Sequence, residues 1–304
     1  MPEPDLKEQV RRYWNQQSCD TQAAAASKFT LEYFEEIETF RYRDQPFIHA
    51  FAQFSRYRGK KVLEVGFGAG TDFIQWLRAG AAATGIDLTQ EALDNVSRRI
   101  QQYHLPAPEK ICVADAENLP FGENSFDLGY SFGVLHHSPD TAKAVAQLVR
   151  VIRPGGELKI MLYNRHSVYA VNQWIKHAAL KGRPWKSLAW VLWRHMESPG
   201  TKAFTPKEIF AMLSRLPLED IRVHTEPTSG DYLSASAFPP LNWCNRLALR
   251  LAGYRHDWAW MDFVDRDARS GAMPAPRKTP AKLPPRHTGN ALGFYHCISA
   301  KKSG

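Results

Sequence analysis

The chain has 304 residues, 44% of them hydrophobic, with 39 Lys+Arg against 31 Asp+Glu and a formal charge of +8. Its start, Met1-Pro-Glu-Pro-Asp-Leu-Lys-Glu8, is charged where a secretory leader needs an apolar run, and no apolar stretch approaches the ~20 residues of a membrane span. Cys19, Cys112, Cys244 and Cys297 have neither metal-site spacing nor the density of a disulfide scaffold, so a reduced, cytoplasmic setting is expected.

The N-terminal part, residues 1–58, reads as a helical cap. It is rich in aromatics, namely Tyr33, Phe34, Phe40, Tyr42, Phe47, Phe51 and Phe54. Because it precedes the first strand it must pack over the domain, and a place above the ligand mouth at the carboxyl ends of the strands is expected. Residues 59–163 alternate short apolar runs with amphipathic stretches, the pattern of consecutive βαβ units. Lys61–Val65 reads as a buried strand stopped by Gly66-Phe-Gly-Ala-Gly70. A helix follows over Thr71–Arg78 and ends at Gly80. Ala83–Asp87 is a second strand, and Thr89 caps a helix whose Leu93, Val96, Ile100 and Tyr103 share one face. Ile111–Ala114 and Phe126–Tyr130 are the third and fourth strands. Asp140 or Thr141 opens a helix closed by Pro154-Gly155-Gly156, and Glu157–Tyr163 is the fifth strand.

After Tyr163 the rhythm changes. Residues 164–203 carry Trp174, Trp185, Trp190 and Trp193 among Lys and Arg, which predicts two helices and a second cap segment. Residues 204–304 hold the rest of the sheet. Thr205-Pro206-Lys207-Glu208 is a capping box with Pro at the first helical position. Ile221–Thr225 reads as a sixth strand, Leu241–Leu251 as a helix and Leu292–Ala300 as a last strand. Between the last two, residues 272–290 read as a Pro-rich flexible loop. The basic cluster Arg277, Lys278, Lys282 and Arg286 falls in that loop and reads as solvated rather than as a nucleic-acid arm.

The residues with the clearest chemistry are Glu64-Val65-Gly66-Phe67-Gly68-Ala69-Gly70, between a strand and a helix. Glycines let the backbone turn sharply and approach a ligand, and the helix that follows offers free N–H groups. Asp87, ending the next strand, is placed to accept hydrogen bonds from a ribose. A dinucleotide-binding enzyme uses similar parts, but here the spacing is G-x-G-x-G, with Thr71 at the sixth position. Glu64 also puts a carboxylate under the loop, where it opposes a pyrophosphate and suits an ammonium.

The series Val62-Leu-Glu-Val-Gly-Phe-Gly-Ala-Gly70, Gly85-Ile-Asp-Leu88, Ala114-Asp-Ala-Glu-Asn-Leu-Pro-Phe121, Phe126-Asp-Leu128 through Leu135-His-His137, and Ile152-Arg-Pro-Gly-Gly156 resembles class I S-adenosylmethionine-dependent methyltransferases. It is most similar to the type 11 group, which includes ubiquinone/menaquinone C-methyltransferases. The resemblance covers residues 60–163. It implies an α/β, Rossmann-like doubly wound sheet of seven strands, order 3-2-1-4-5-7-6 with the last strand antiparallel, under helical cap elements. It implies S-adenosyl-L-methionine as cofactor, S-adenosyl-L-homocysteine as product and no metal. Gly66, Gly68 and Gly70 would line the methionine moiety, with Glu64 shaping the loop from below. Asp87, with Leu88 beside it, would hold the ribose. Asp115 and Ala116 would meet the adenine edge, and Ser131 would border the amino-acid end, where Tyr13 or Trp14 adds an aromatic. His136 and His137 stand where a base would take the acceptor's proton, or where a polar wall would face it.

The expected reaction is methyl transfer to a small, apolar or aromatic acceptor. A nucleic-acid methyltransferase is the first alternative, but Ser131-Phe-Gly-Val-Leu-His-His137 does not match a base-binding Asn/Asp-Pro-Pro-Tyr motif, and the basic charge forms no stripe. A non-catalytic cofactor-binding scaffold is the second. Asp127 reads as a structural turn or cap partner. His166, His195, His224 and His256 lack metal-ligand spacing. The Trp-rich segment from Val168 to Arg194 reads as packing or a substrate lid, ahead of a membrane-surface helix. Arg41, Tyr42, Arg43 and His49 are candidates to face the substrate. Oligomeric state has no signature in the sequence.

Overall fold

A computed structural model describes residues 5–228, 231, 247, 286–289 and 291–304. The strands are β1 (Lys61–Val65), β2 (Ala82–Asp87), β3 (Lys110–Val113), β4 (Phe126–Phe132), β5 (Ile152–Tyr163), β6 (Leu218–Glu226), β7 (Arg286–Gly289) and β8 (Tyr295–Lys302). They form one sheet in the order β3-β2-β1-β4-β5-β8-β6-β7. β3, β2, β1, β4 and β5 run parallel, while β8 lies antiparallel between β5 and β6.

The sheet therefore has the expected order plus one further strand. β7 was expected to be part of the Pro-rich loop. Its four residues instead pair in parallel with β6, from Arg222↔Arg286 to Thr225↔Gly289, and satisfy an edge that β6 would otherwise leave open. The expected helix over 241–251 lies outside the described residues except for Leu247, as do residues 272–285 of the loop, Cys244 and His256. The fifth strand begins at Ile152 rather than Glu157. Pro154-Gly155-Gly156 is absorbed there as a register shift, since Phe126 pairs with Ile152 but Leu128 with Glu157.

Alternation along β1 shows how the core divides. Val62 faces one buried cluster with Trp76, Phe73, Tyr130 and Phe132. Leu63 and Val65 face the other, with Val145, Leu148, Ile209 and Ile298. Helices α4 (Phe73–Ala79), α5 (Gln90–Gln102), α6 (Thr141–Val151) and α9 (Pro206–Leu213) cover these faces. Local signals set their starts. The Thr89 hydroxyl accepts from Ala92 N, Asp140 accepts from Lys143 N, and Thr205 and Glu208 form the complete capping box.

The N-terminal region forms α1 (Leu6–Gln16), α2 (Leu31–Asp44) and α3 (Ile48–Ala52), and residues 164–203 supply α7 (Val168–His177) and α8 (Leu188–His195). Lys159, buried on β5, donates to Phe51 O, Ala52 O and Gln53 Oε1 at the end of α3. Burial pulls its ammonium down to about 7, against the attraction of Glu157. Asp127 has the structural role expected of it: it accepts from Lys61 N and Arg153 Nε at the far end of the sheet.

Candidate active site

A cavity of about 500 Å³ opens at the carboxyl ends of β1, β2 and β4. Its floor is the glycine loop. Gly66 has φ +78°, and a Cβ there would lie 2.3 Å from Val134 Cγ2, so the backbone can turn under the cavity only without a side chain. Gly68 N donates to Asp87 Oδ2 at 3.1 Å. The other carboxylate oxygen accepts from Thr89 N (3.0 Å) and Thr89 Oγ1 (2.8 Å). Burial raises the Asp87 carboxyl, while these hydrogen bonds favour its charged form. The loop and the carboxylate at the end of β2 are thus one prearranged unit.

Asp115 stands at the next strand end. It accepts from Glu117 N (2.9 Å) and from Lys7 Nζ (2.7 Å), and Lys7 also reaches Glu117 Oε2 (2.9 Å). One lysine thereby straps α1 across this end, and Lys7, Val10 and Trp14 on that helix all border the cavity.

Beneath the loop lies a buried ionic network. Glu64, 2% exposed, accepts from Trp76 Nε1 at 2.7 Å. Burial and the neighbouring Asp72 carboxylate push Glu64 well above the usual carboxylate range. Burial alone would raise Asp72 too. It is instead held low by the Arg41 guanidinium, which binds both its oxygens (3.0 and 2.8 Å), with help from Tyr130 and Tyr42. Arg41 also donates to Asp20 Oδ2 (3.0 Å), so helix α2 is anchored to the loop by a two-pronged ion pair.

The far end of the cavity is aromatic, bordered by Phe132, Tyr163, Tyr169, Phe294 and Tyr295 together with Met161 and Met196. His137 is its central polar group. Its Nδ1 lies 2.8 Å from Ser198 Oγ and 3.0 Å from Thr201 Oγ1. Thr201 gives its own proton to Ser198 O (2.7 Å), so towards Nδ1 it can only accept, whereas the Ser198 hydroxyl can donate or accept. Nε2 lies 3.2 Å from Glu197 Oε2, off the alignment of a hydrogen bond. Glu197 accepts from the Tyr163 hydroxyl (2.9 Å) and has φ +30°, a strained backbone for a residue with a side chain. Trp14 meets the His137 ring edge-on at 5.1 Å.

The expected residues are placed unevenly. Glu64, Gly66, Gly68, Asp87, Leu88, Asp115, Ala116, Trp14 and His137 all border this one cavity. Gly70, Ser131, His136 and Tyr13 do not. Gly70 sits behind the loop, where its added Cβ would lie 2.6 Å from Val96 Cγ2, so it allows α5 to pack closely. Ser131 is fully buried and spends its hydroxyl on Val65 O (2.8 Å), bracing β1. His136 is fully buried, its ring tilted against Tyr163 at 3.7 Å, and burial pushes its imidazole well below the usual range. Tyr13 is exposed and touches Trp14 from outside.

Asp72, Glu197, Ser198 and Thr201 were not anticipated. Asp72 comes two residues after the glycine motif and was legible as a potential anchor. Nothing in the sequence marks the other three. Among the described residues, His136, His137 and Glu197 form the one His/carboxylate cluster whose potential ligand atoms lie within 4.8 Å of one another.

Residues 63–160 match a family described as methyltransferase domain. The chain is 28% identical to methyltransferase GfsG of Streptomyces halstedii over 151 residues, 49% of this chain and 48% of that protein. It is 37% identical over 112 residues to phthiotriol/phenolphthiotriol dimycocerosates methyltransferase 1 of Mycobacterium ulcerans, 36% of this chain and 40% of that protein. The chain thus spans half or less of the length of these relatives. In three dimensions it resembles geranyl diphosphate C-methyltransferase from Streptomyces coelicolor A3(2), with TM-score 0.53 and 15% identity over 99% of both chains, a likeness of fold alone. The match to a methyltransferase domain thus falls on residues 63–160, the part of the chain that supplies β1 to β5 of the sheet.

Proposed function

We propose that the protein transfers the methyl group of S-adenosylmethionine to a hydroxyl of a small apolar or aromatic acceptor and releases S-adenosylhomocysteine. The observation that carries this reading is the single cavity that joins the Gly66–Ala69 loop and Asp87 to the aromatic end at His137. A reactive methyl group and an apolar acceptor then share one cavity. The name of the Mycobacterium ulcerans relative, which refers to phthiotriol dimycocerosates, supports an apolar acceptor.

The residues fit the cofactor. Asp87, already fixed by Gly68 N and Thr89, would accept from the ribose hydroxyls. Asp115 and Ala116 meet the adenine edge. An ammonium beside Glu64 would draw that buried carboxyl into its charged form, and Arg41 faces the same end to receive a carboxylate. When bound, the cofactor supplies a sulfonium-activated methyl. The chain's own contribution is placement, worth roughly 7–11 kcal/mol when two reactants are held in line, and removal of one proton. With an acceptor hydroxyl held at this end, His137 Nε2 would take its proton as the methyl group is transferred. Ser198 and Thr201 hold the ring, and Glu197 pairs with the imidazolium.

The test is release of S-adenosylhomocysteine with a panel of apolar alcohols and phenols, in wild type and His137→Gln. General-base loss should lower kcat by about 10²–10⁴-fold, with the affinity for S-adenosylhomocysteine unchanged. Undiminished turnover in the variant, or turnover of nucleic acid alone, would contradict the reading.

A further inference from the structure

The segment between Asn164 and Ala203 has a surface that the reaction does not use. α7 and α8 form a hairpin, closed by Trp174 Nε1 donating to Lys186 O (2.6 Å) and by the His177–His195 stack at 4.4 Å. The inner side of the hairpin serves the cavity through Tyr169 and Met196. Its tip is different. Six consecutive residues, Leu180 to Trp185, are exposed, with Leu180 at 77% and Trp185 at 74%. These are the most exposed large hydrophobic side chains among the described residues.

The hairpin also carries Lys176, Lys181, Arg183, Lys186 and Arg194, none paired with a carboxylate among the described residues. Residues 164–203 hold seven Lys and Arg against the single acid Glu197, a surplus of 7 − 1 = +6 within a chain of +8. The α7–α8 hairpin itself holds five of these cations and no acid.

We infer that the tip of the α7–α8 hairpin docks on an anionic lipid surface, with Leu180 and Trp185 entering the headgroup layer and the five cations facing the lipid charges. An amphipathic tryptophan is favoured at a membrane interface, and an apolar anchor combined with a polybasic patch attaches peripherally without spanning. No helix among the described residues is long and apolar enough to cross a membrane. Each cation near an anionic surface strengthens attachment by about fivefold. The charge argues against the other occupants. A second copy joined tip to tip would bring two cationic clusters together. A nucleic acid would meet the cations but would leave Leu180 without an apolar partner. The inference stands independently of the acceptor's identity, and it goes further by placing the cavity beside a source of apolar acceptors.

The experiment is co-sedimentation of the full chain with phosphatidylcholine vesicles, with and without 30% phosphatidylglycerol. Wild type is compared with Leu180→Ser/Trp185→Ser and with Lys181→Glu/Arg183→Glu, and calorimetry with S-adenosylhomocysteine checks each variant. The account expects binding to anionic vesicles that weakens at least tenfold on pure phosphatidylcholine and at least tenfold in either variant, with cofactor affinity unchanged. It is overturned if the chain ignores both vesicle types or binds them equally, or if neither variant changes the binding. It is also overturned if the tip substitutions instead abolish a dimer seen by analytical ultracentrifugation, or a complex with duplex or single-stranded oligonucleotides. Cofactor affinity in the same samples separates failure of docking from failure of the methyltransferase reading.

Discussion

The two ends of the cavity are built on different physical plans. At the β1–β2 end, groups are fixed by backbone: Gly68 N and Thr89 N hold Asp87, and Glu117 N holds Asp115. These contacts span two to nineteen residues of sequence, and each strand-end carboxylate is set by the turn that follows it or by the neighbouring loop. At the far end, side chains hold side chains. His137 is positioned by Ser198 and Thr201, Glu197 by Tyr163, and Trp14 packs on His137 from the N-terminal helix. Those partners lie 34 to more than 120 residues apart. The backbone-held end suits a ligand that never changes, whereas the side-chain-held end can be re-lined without disturbing the sheet.

Of three changes that probe this contrast, the largest effect is expected at the backbone-held end. Gly66→Ala should cost about 1–2 kcal/mol for the left-handed conformation and about 1–3 kcal/mol for the collision with Val134. Thermal unfolding should show a lower Tm, and calorimetry a loss of cofactor affinity of about 30-fold or more as the loop shifts. Glu197→Gln is the matching change at the other end. It removes the charge beside His137 Nε2 and should lower kcat by about tenfold, the scale of one charged hydrogen bond. It should leave cofactor affinity alone, a split visible in steady-state kinetics beside calorimetry. The smallest effect is expected for Lys7→Met, which releases the strap between α1 and Asp115. The lost pairs are half-exposed and worth about 0.2–1 kcal/mol. Stopped-flow release of S-adenosylhomocysteine should accelerate by less than about fivefold and lose part of its salt dependence.

The same contrast explains what the sequence disclosed. The sheet order and the places of Gly66, Gly68, Asp87 and Asp115 at the cavity rest on motifs a few residues long. Gly70 and Ser131 belong to those motifs, yet they serve packing: one admits α5, the other braces β1. A motif marks a conserved geometry of loop and strand without saying which of its members touches the ligand. His136 and His137 are adjacent in sequence but diverge, because the short helical turn over Leu135–His137 sends one ring under Tyr163 and the other to the cavity. Glu197, Ser198 and Thr201 sit in a connecting segment with no periodicity, and only long-range packing brings them to His137. β7 was unreadable for a related reason, since Pro-rich surroundings hid a strand whose pairing is set by the open edge of β6.

The account rests most directly on Asp87 as the ribose anchor of an adenosyl cofactor. The decisive measurement is calorimetry of wild type and Asp87→Ala with S-adenosylmethionine, S-adenosylhomocysteine and NADH. The prediction is micromolar binding of both adenosyl ligands and none of NADH. Loss of two charged hydrogen bonds, each worth about 1.5–3 kcal/mol, should then all but abolish binding in the variant. Binding of NADH instead, or adenosyl binding that survives Asp87→Ala intact, would contradict it.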